Sequence, residues 1–342
     1  MGVKPTLMYR EVQSVPERIA HQIDTALPTY IAVGERLKSM DVKVMITVAR
    51  GSSDHAATYF KYLVETMFGI PVASVGPSIA SIYGKDMLVD GVPVIAISQS
   101  GGSKDLQIFM EQAAQNDAIG IVLTNDTSSA LAHSGCEVLD LSMGVEKAVA
   151  ATKTYIASLT ALAGVFAGWS GDEKFLNALR KLPENLNSAL HCNWDAALDH
   201  FKSRASVFCI SRGPGLAISN EAALKFKETC LIHAESHSAA EVIHGPMALA
   251  GKELSALVFM SGYCTRQSID DSIVRMRVAG SRVFIAGDHK GTDCLRTIKT
   301  SHSLLDPISQ ALSFYVFIEK LSVGLGFNPD APRHLNKVTV TI

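Results

Sequence analysis

The sequence predicts an α/β fold made twice over: two tandem domains, each a parallel sheet flanked by helices in three layers. Three observations predict it. Short, strongly apolar runs at Val42–Val48, Val92–Ser98 and Ile119–Thr124 alternate with longer helical stretches, the rhythm of strand–helix–strand crossovers. The second half repeats landmarks of the first: VMITVARG at 44–51 matches VFCISRG at 207–213, the strand ending at Ser98 matches one ending at Ser261, and Ile121-Val122 matches Phe284-Ile285, at an offset of about 162 to 163 residues. The chain has 342 residues, 47% hydrophobic and 19% charged, enough to bury two sizeable cores.

These landmarks divide the chain into an N-terminal helical arm (1–40), a first domain (41–170), a helical linker (171–200), a second domain (201–331) and a C-terminal tail (332–342). The arm reads as one or two helices, with Ile19, Ile23 and Leu27 on a stripe and Tyr30–Met40 following. After the strand ending at Val48 comes the turn Ala49–Ser53 and a helix to Phe68, then a short strand from Gly69. The linker is charged and helical, interrupted by Pro183. A final helix spans about Pro307–Leu325, and in the tail Val338, Val340 and Ile342 alternate with Lys337, Thr339 and Thr341, a strand pattern that can dock on one face.

Composition excludes several classes of function. A net charge of −2 provides no basic field for nucleic acid or an anionic membrane, and the aromatic residues are scattered rather than interleaved with Lys and Arg. The six cysteines form no CxxC pair and read as small buried hydrophobes in a reducing compartment. The first twenty residues lack the apolar core of a signal peptide. The expectation is a soluble, cytoplasmic protein with neither nucleic acid nor membrane as a partner.

Chemistry concentrates in Ser211–Ala250. Here a β-run and a Gly-Pro-Gly turn lead into a helix over Ala217–Cys230, on which Glu221, Lys225 and Glu228 fall at i, i+4 and i+7, on one face. A second segment ends at His244-Gly245-Pro246. A carboxylate, an ammonium and an imidazole are the parts needed for proton transfer on carbon. The competing reading of the same spacing is a solvated surface pair. His237, Glu241 and His244 would share a helical face and allow a metal, but no HExxH or cysteine pair accompanies them. The second candidate is SQSGGS at 98–103, between a strand and a helix. Backbone amides and the helix dipole there favour an anion, with hydroxyls from Ser98, Ser100 and Ser103 and the amide of Gln99 as further donors. No GxxxxGK[ST] is present, and Gly213-Pro214-Gly215 lacks the third glycine of a dinucleotide fingerprint. In the second copy this loop has become Ser261-Gly262-Tyr263-Cys264, so the hydroxyls survive only in the first.

The motifs ARGSSDHAA, ISQSGGSKD, VEKAVAATKTY, EAALKFKE, HGPMAL and PRHLNKVTVTI resemble the isomerase half of glucosamine-6-phosphate synthase, a pair of sugar-isomerase (SIS) domains of flavodoxin-like fold. The resemblance covers nearly the whole chain. It implies a phosphosugar substrate whose phosphate is held by Ser98, Gln99, Ser100 and Ser103, with Gly51, Ser52 and Ser53 nearby. It implies Glu228 as the acid/base between C1 and C2, and His244 as the ring opener supplied across a homodimer interface. Lys225 and Lys337 complete the catalytic set, and Ala151 lies near the sugar. It calls for no metal and no organic cofactor. The family pattern has Ser at 151 and Asn at 334, where this chain has Ala and His. The synthase begins with a glutaminase domain and its nucleophilic Cys; here Gly2 follows Met1. The implied activity is a deaminase converting glucosamine 6-phosphate and water to fructose 6-phosphate and ammonia. The alternatives are a deglycase of phosphorylated sugar–amino acid adducts and a non-catalytic sugar-phosphate sensor.

Overall fold

The computed structural model describes residues 4–134, 136–262 and 264–337, so the expected strand over 338–342 lies outside them. Two helices open the chain, α1 (Leu7–Gln13) and α2 (Val15–Lys38). The first copy then runs β1 (Met45–Ala49), α3 (Ser52–Phe68), β2 (Val72–Ser74), α4 (Ser78–Ser81), β3 (Pro93–Ser98), α5 (Lys104–Gln115), β4 (Ile119–Thr124), β5 (Glu137–Asp140) and α6 (Lys153–Ser170). Three short helices follow, α7 (Glu173–Arg180), α8 (Leu182–Ala189) and α9 (Asp195–Lys202). The second copy is β6 (Ser206–Ser211), α10 (Leu216–Cys230), β7 (His233–Ser238), β8 (Leu254–Phe259), α11 (Arg266–Val278), β9 (Arg282–Ala286), β10 (Cys294–Leu295) and α12 (Asp306–Gly324).

Each copy forms one parallel five-stranded sheet flanked by helices. The strand orders are β2-β1-β3-β4-β5 and β10-β9-β8-β6-β7, the same order read from opposite ends. The internal repeat is therefore a repeat of topology. Each sheet belongs to its own compact unit. The first unit takes in Glu17–Glu146, Lys153–Arg180 and the chain from Asn336; the second takes in the chain up to Pro16, Lys147–Thr152 and Lys181–Leu335. Strands β1, β3 and β8 are buried at every position, which is why their sequences are continuous apolar runs.

Edge strand β7 is different. It pairs with β6 alone, His237 opposite Ile210, and most of its residues are solvent-accessible, so its sequence HAESHS is polar. His237 thus lies on a strand while Glu241 begins a separate 3₁₀ turn, and the helical face expected for His237, Glu241 and His244 does not form. The arm is two helices, but the break between them falls at Ser14 and not before Tyr30, because α2 continues unbroken through Pro28. Among the cysteines, 192, 209 and 230 are buried as expected, whereas 136 and 294 are half-buried and Cys264 is exposed.

Helix α6 is buried at every residue from Lys153 to Trp169, and its composition is accordingly apolar all round. Among the described residues no helix is long and apolar enough to cross a membrane. Phe68 stacks on Trp169 at 4.7 Å, and Phe166 meets Phe175 edge-on at 4.9 Å. Against α2 the approach is closer: a Cβ on Gly168 would overlap the Ile31 carbonyl, and one on Gly34 would overlap the Val165 carbonyl. Gly168→Ala should therefore cost about 1–3 kcal/mol or more, a fall of several degrees in Tm by calorimetry, with Ser170→Ala as a near-neutral control. An unchanged Tm would mean that the two helices do not meet backbone to backbone.

Candidate active site

In the first unit the topology reverses between β1 and β3, and both loops expected to bind an anion sit there, off the carboxyl ends of those strands. Gly51 caps α3 at φ 55°, and Ser52 and Ser53 begin that helix, at its positive dipole end. After β3, Ser98 Oγ accepts from the Gly101 amide at 3.1 Å and Ser100 Oγ from the Gly102 amide at 3.2 Å. Both hydroxyl oxygens thus act as acceptors within the loop. Gly101 stands at φ 59°, and a Cβ there would collide with Ser129. Ser103 caps α5 without a side-chain hydrogen bond, and the Gln99 carbonyl is held by the Asn125 amide at 3.1 Å. A feature the sequence reading missed ties the two loops together: Arg50 donates through Nε (2.7 Å) and Nη2 to the same oxygen of Asp105, a carboxylate with no exposed surface.

The same unit holds Lys337. Its Nζ donates to Glu146 Oε2 at 2.8 Å, and Glu146 is fully buried, also accepting from Thr154 N (3.2 Å) and Thr154 Oγ1 (2.8 Å). Lys153 supports this corner, its ammonium donating to the carbonyls of Met143 (3.1 Å) and Val145 (2.7 Å). Glu146 was not singled out from the sequence; its only signal was its place in VEKAVAATKTY.

The second unit holds the Glu228 group. Lys225 has no exposed side-chain surface and lies 3.1 Å from Glu221 Oε1 and 2.6 Å from Glu228 Oε2. Tyr315 of α12 donates to Glu221 Oε1 at 2.8 Å. Burial by itself would push the Lys225 ammonium down, but the two carboxylates beside it outweigh that and hold it above its ordinary value. The surface-pair reading of the i, i+4 spacing is thus overturned by burial. Glu228 itself is partly open and borders a cleft of about 220 Å³ with Leu231, Phe327, Asn328, Pro332 and Arg333. Its Oε1 carries no protein hydrogen bond among the described residues. His244 is exposed on its turn and does not reach Glu228. Ala151 is half-buried in the strip 147–152, where the amides of Lys147 and Ala148 donate to Glu11 and that of Val149 to the Asp330 carbonyl. Asp330 also caps α1, accepting from Leu7 N at 2.7 Å and Met8 N at 2.8 Å. His334 stands at φ 63°, a region that Asn and His enter more readily than most residues. Among the described residues no three His, Cys, Asp or Glu side chains are placed to hold a metal ion.

In the second copy the corresponding crevice between β6 and β8 is closed. Ser211 Oγ donates to the Phe259 carbonyl at 2.8 Å, Thr265 Oγ1 to the Ser261 carbonyl, and Ser211 and Ser261 fill the space beside Gly215.

Comparison with known proteins agrees with this architecture. The SIS domain family model matches residues 40–167. A crystal structure from Silicibacter pomeroyi, provisionally named a phosphosugar isomerase, is 38% identical over 95% of this chain and 100% of its own, with a TM-score of 0.91. The chain belongs to the SIS-domain family. Among curated SIS relatives, the isomerizing glutamine–fructose-6-phosphate aminotransferase of Sulfolobus acidocaldarius is 28% identical over 99% of this chain, which spans 57% of that relative's length. The glucosamine-6-phosphate deaminase of Thermotoga maritima shares the fold, with a TM-score of 0.80 at 19% identity over 98% of this chain and 100% of its own.

The Glu146–Lys337 pair makes its own prediction. Lys337→Met should cost about 1–3 kcal/mol by leaving a buried carboxylate short of a charged donor. Adding Glu146→Gln should recover most of that loss in a urea titration. A double variant no more stable than Lys337→Met would mean that the pair does not anchor the segment carrying Lys337.

Proposed function

We propose that this SIS protein is an aminosugar-phosphate deaminase that isomerises an aldose to a ketose, converting glucosamine 6-phosphate and water to fructose 6-phosphate and ammonia. The observation that carries the reading is Glu228: one oxygen is fixed by a sealed Lys225, and the other is uncommitted and borders a cleft. A carboxylate held in that way can take a proton from one carbon and return it to the next. The likeness to a provisionally named phosphosugar isomerase and to isomerizing aminotransferases of fructose 6-phosphate supports the substrate class.

In this mechanism the phosphate is held by Ser98, Gln99, Ser100 and Ser103, with the amides at Gly51, Ser52 and Ser53 as further donors. His244, exposed on its turn, opens the ring across a homodimer interface. The C1 aldehyde of the open sugar acidifies the C2 hydrogen, which Glu228 removes. Reprotonation at C1 gives a ketimine at C2, and water releases ammonia and leaves the ketose. Lys225 acts through Glu228, positioning its Oε2, because its nitrogen is sealed from solvent. Lys337, oriented by its bond to Glu146, places its ammonium for charge developing on the substrate oxygens. Ala151, lacking a hydroxyl, leaves room beside the sugar. The reaction belongs to a soluble, cytoplasmic enzyme.

Glu228→Gln should keep the fold and the binding of fructose 6-phosphate while lowering ammonia release about 10²–10⁴-fold, with loss of solvent deuterium incorporation at C1. Exchange at the wild-type rate in that variant would dismiss Glu228 as the base. Assaying glucosamine 6-phosphate beside glycated amino-acid phosphates decides between deaminase and deglycase, and turnover of neither leaves a sensor. Replacing both Ser98 and Ser100 with Ala should weaken fructose 6-phosphate binding in calorimetry, each lost charge-assisted hydrogen bond being worth about 1.5–3 kcal/mol. Unaltered affinity would remove this loop from the site.

A further inference from the structure

A second cleft, of about 360 Å³, lies in the unit of the second sheet and shares no residue with the one at Glu228. Its size suits a small ligand. It opens off the carboxyl ends of β8 and β9, the end of an open parallel sheet where ligands gather. Ser261 and Gly262 after β8, Gly287 and Asp288 after β9, and the segment 297–300 form its walls.

Gln310 of α12 lines the cleft and is only 3% exposed. Its Nε2 donates to the Met260 carbonyl at 2.6 Å, which fixes the orientation of the amide. Its Oε1 has no protein hydrogen bond. Two cations line the same cleft: Arg266, whose Nη2 donates to the Asp288 carbonyl at 2.9 Å, and Lys299, paired with the Asp288 carboxylate at 2.6 Å. Both cations are substantially exposed, so these contacts are weak and exchangeable. The segment beneath is firm, with Asp306 accepting from Thr300 N at 2.7 Å and Thr300 Oγ1 at 2.9 Å.

We propose that this cleft is a second binding site, for an anionic polyol of sugar-phosphate size, with the anion on Arg266 and Lys299 and a hydroxyl donating to Gln310 Oε1. A bare phosphate leaves the Gln310 oxygen unsatisfied, and a neutral sugar leaves both cations on Asp288. The two features together select a molecule carrying both groups. This site is independent of the chemistry assigned to Glu228, since it concerns binding and not turnover.

The test is calorimetric titration of fructose 6-phosphate into the full chain carrying Ser98→Ala and Ser100→Ala, alone and with Arg266→Ala or Gln310→Leu added. The loop variant should retain one equivalent of binding per chain, and each added change should weaken it about tenfold. Inorganic phosphate should bind more weakly, losing affinity with Arg266→Ala but not with Gln310→Leu. Gln310→Leu also removes the donor to the Met260 carbonyl and should lower Tm by a few degrees, whereas Arg266 is exposed and Arg266→Ala should not, so all titrations are run well below the measured Tm of each variant and neither result is confused with unfolding. No residual binding in the loop variant, or a loss smaller than about threefold from either added change, overturns the proposal. Failure of the loop assignment is read separately, as an unchanged total stoichiometry between wild type and loop variant.

Discussion

An ammonium with no exposed surface organises the second unit. Lys225 can be buried only because Glu221 and Glu228 reach it from either side along one helix. Taking both carboxylates away would strand a charge, at a cost of about 3–5 kcal/mol, whereas either one alone still pairs with it. That requirement fixes α10 as an unbroken helix through all three positions. It also fixes α12 beside it, because Tyr315 supplies a hydrogen bond to Glu221 from the neighbouring layer. Such an arrangement adds little net stability compared with an apolar replacement. Its consequence is geometric: Glu228 has one immobile oxygen and one uncommitted oxygen.

The two copies share a topology and differ in what lies between their central strands. In the first, two glycine-containing turns stand at the ends of β1 and β3, with Ser98 buried and Ser100 and Ser103 half-buried. In the second, the equivalent space is occupied by Ser211 and Ser261, whose hydroxyl and side chain pack beside Gly215. A single topology thus supplies a glycine- and serine-rich loop in one place and a solid support for α10 in the other. The two copies differ in what fills the space beside their central strands, with the same strand order.

Much of this was legible in the sequence, for reasons that particular residues make plain. Strands β1 and β3 are buried at every position, so their apolar runs could hardly be anything else. The repeat at 207–213 was readable because the same strand needs the same residues twice. The alignment of Glu221, Lys225 and Glu228 on one face follows from helical geometry. Their burial does not, because an exposed and a buried i, i+4 pair have the same spacing. Strand β7 was hidden by its position at the sheet edge, where polar residues cost little. Glu146 was hidden by a separation of 191 residues from its partner Lys337, which no local pattern encodes. The continuity of α2 through Pro28 depends on tertiary packing, namely the close approach of Gly34 and Gly168 to backbone carbonyls on the facing helix.

The charge balance of the first copy's loop follows from one contact. Asp105 lies in the first turn of α5, where its negative charge suits the helix dipole but opposes any anion bound at the same amides. Arg50 answers that charge directly, with two donors on one carboxylate oxygen. The Arg50 cation is thereby committed to the scaffold, so that in the proposed site the loop would meet a ligand through its amides and hydroxyls, with Lys104 exposed beside them at the start of α5. Recognition by oriented dipoles depends on the shape of the anion and on how many of its oxygens can be reached. It is less sensitive to salt than attraction by an exposed lysine, because short hydrogen bonds in a partly closed loop are poorly screened. A tetrahedral phosphate ester, with several oxygens converging on neighbouring amides, satisfies such a loop better than a planar carboxylate does. Under the proposed function the Arg50–Asp105 pair holds the loop without touching the ligand, and it neutralises the carboxylate that would otherwise oppose an anion there.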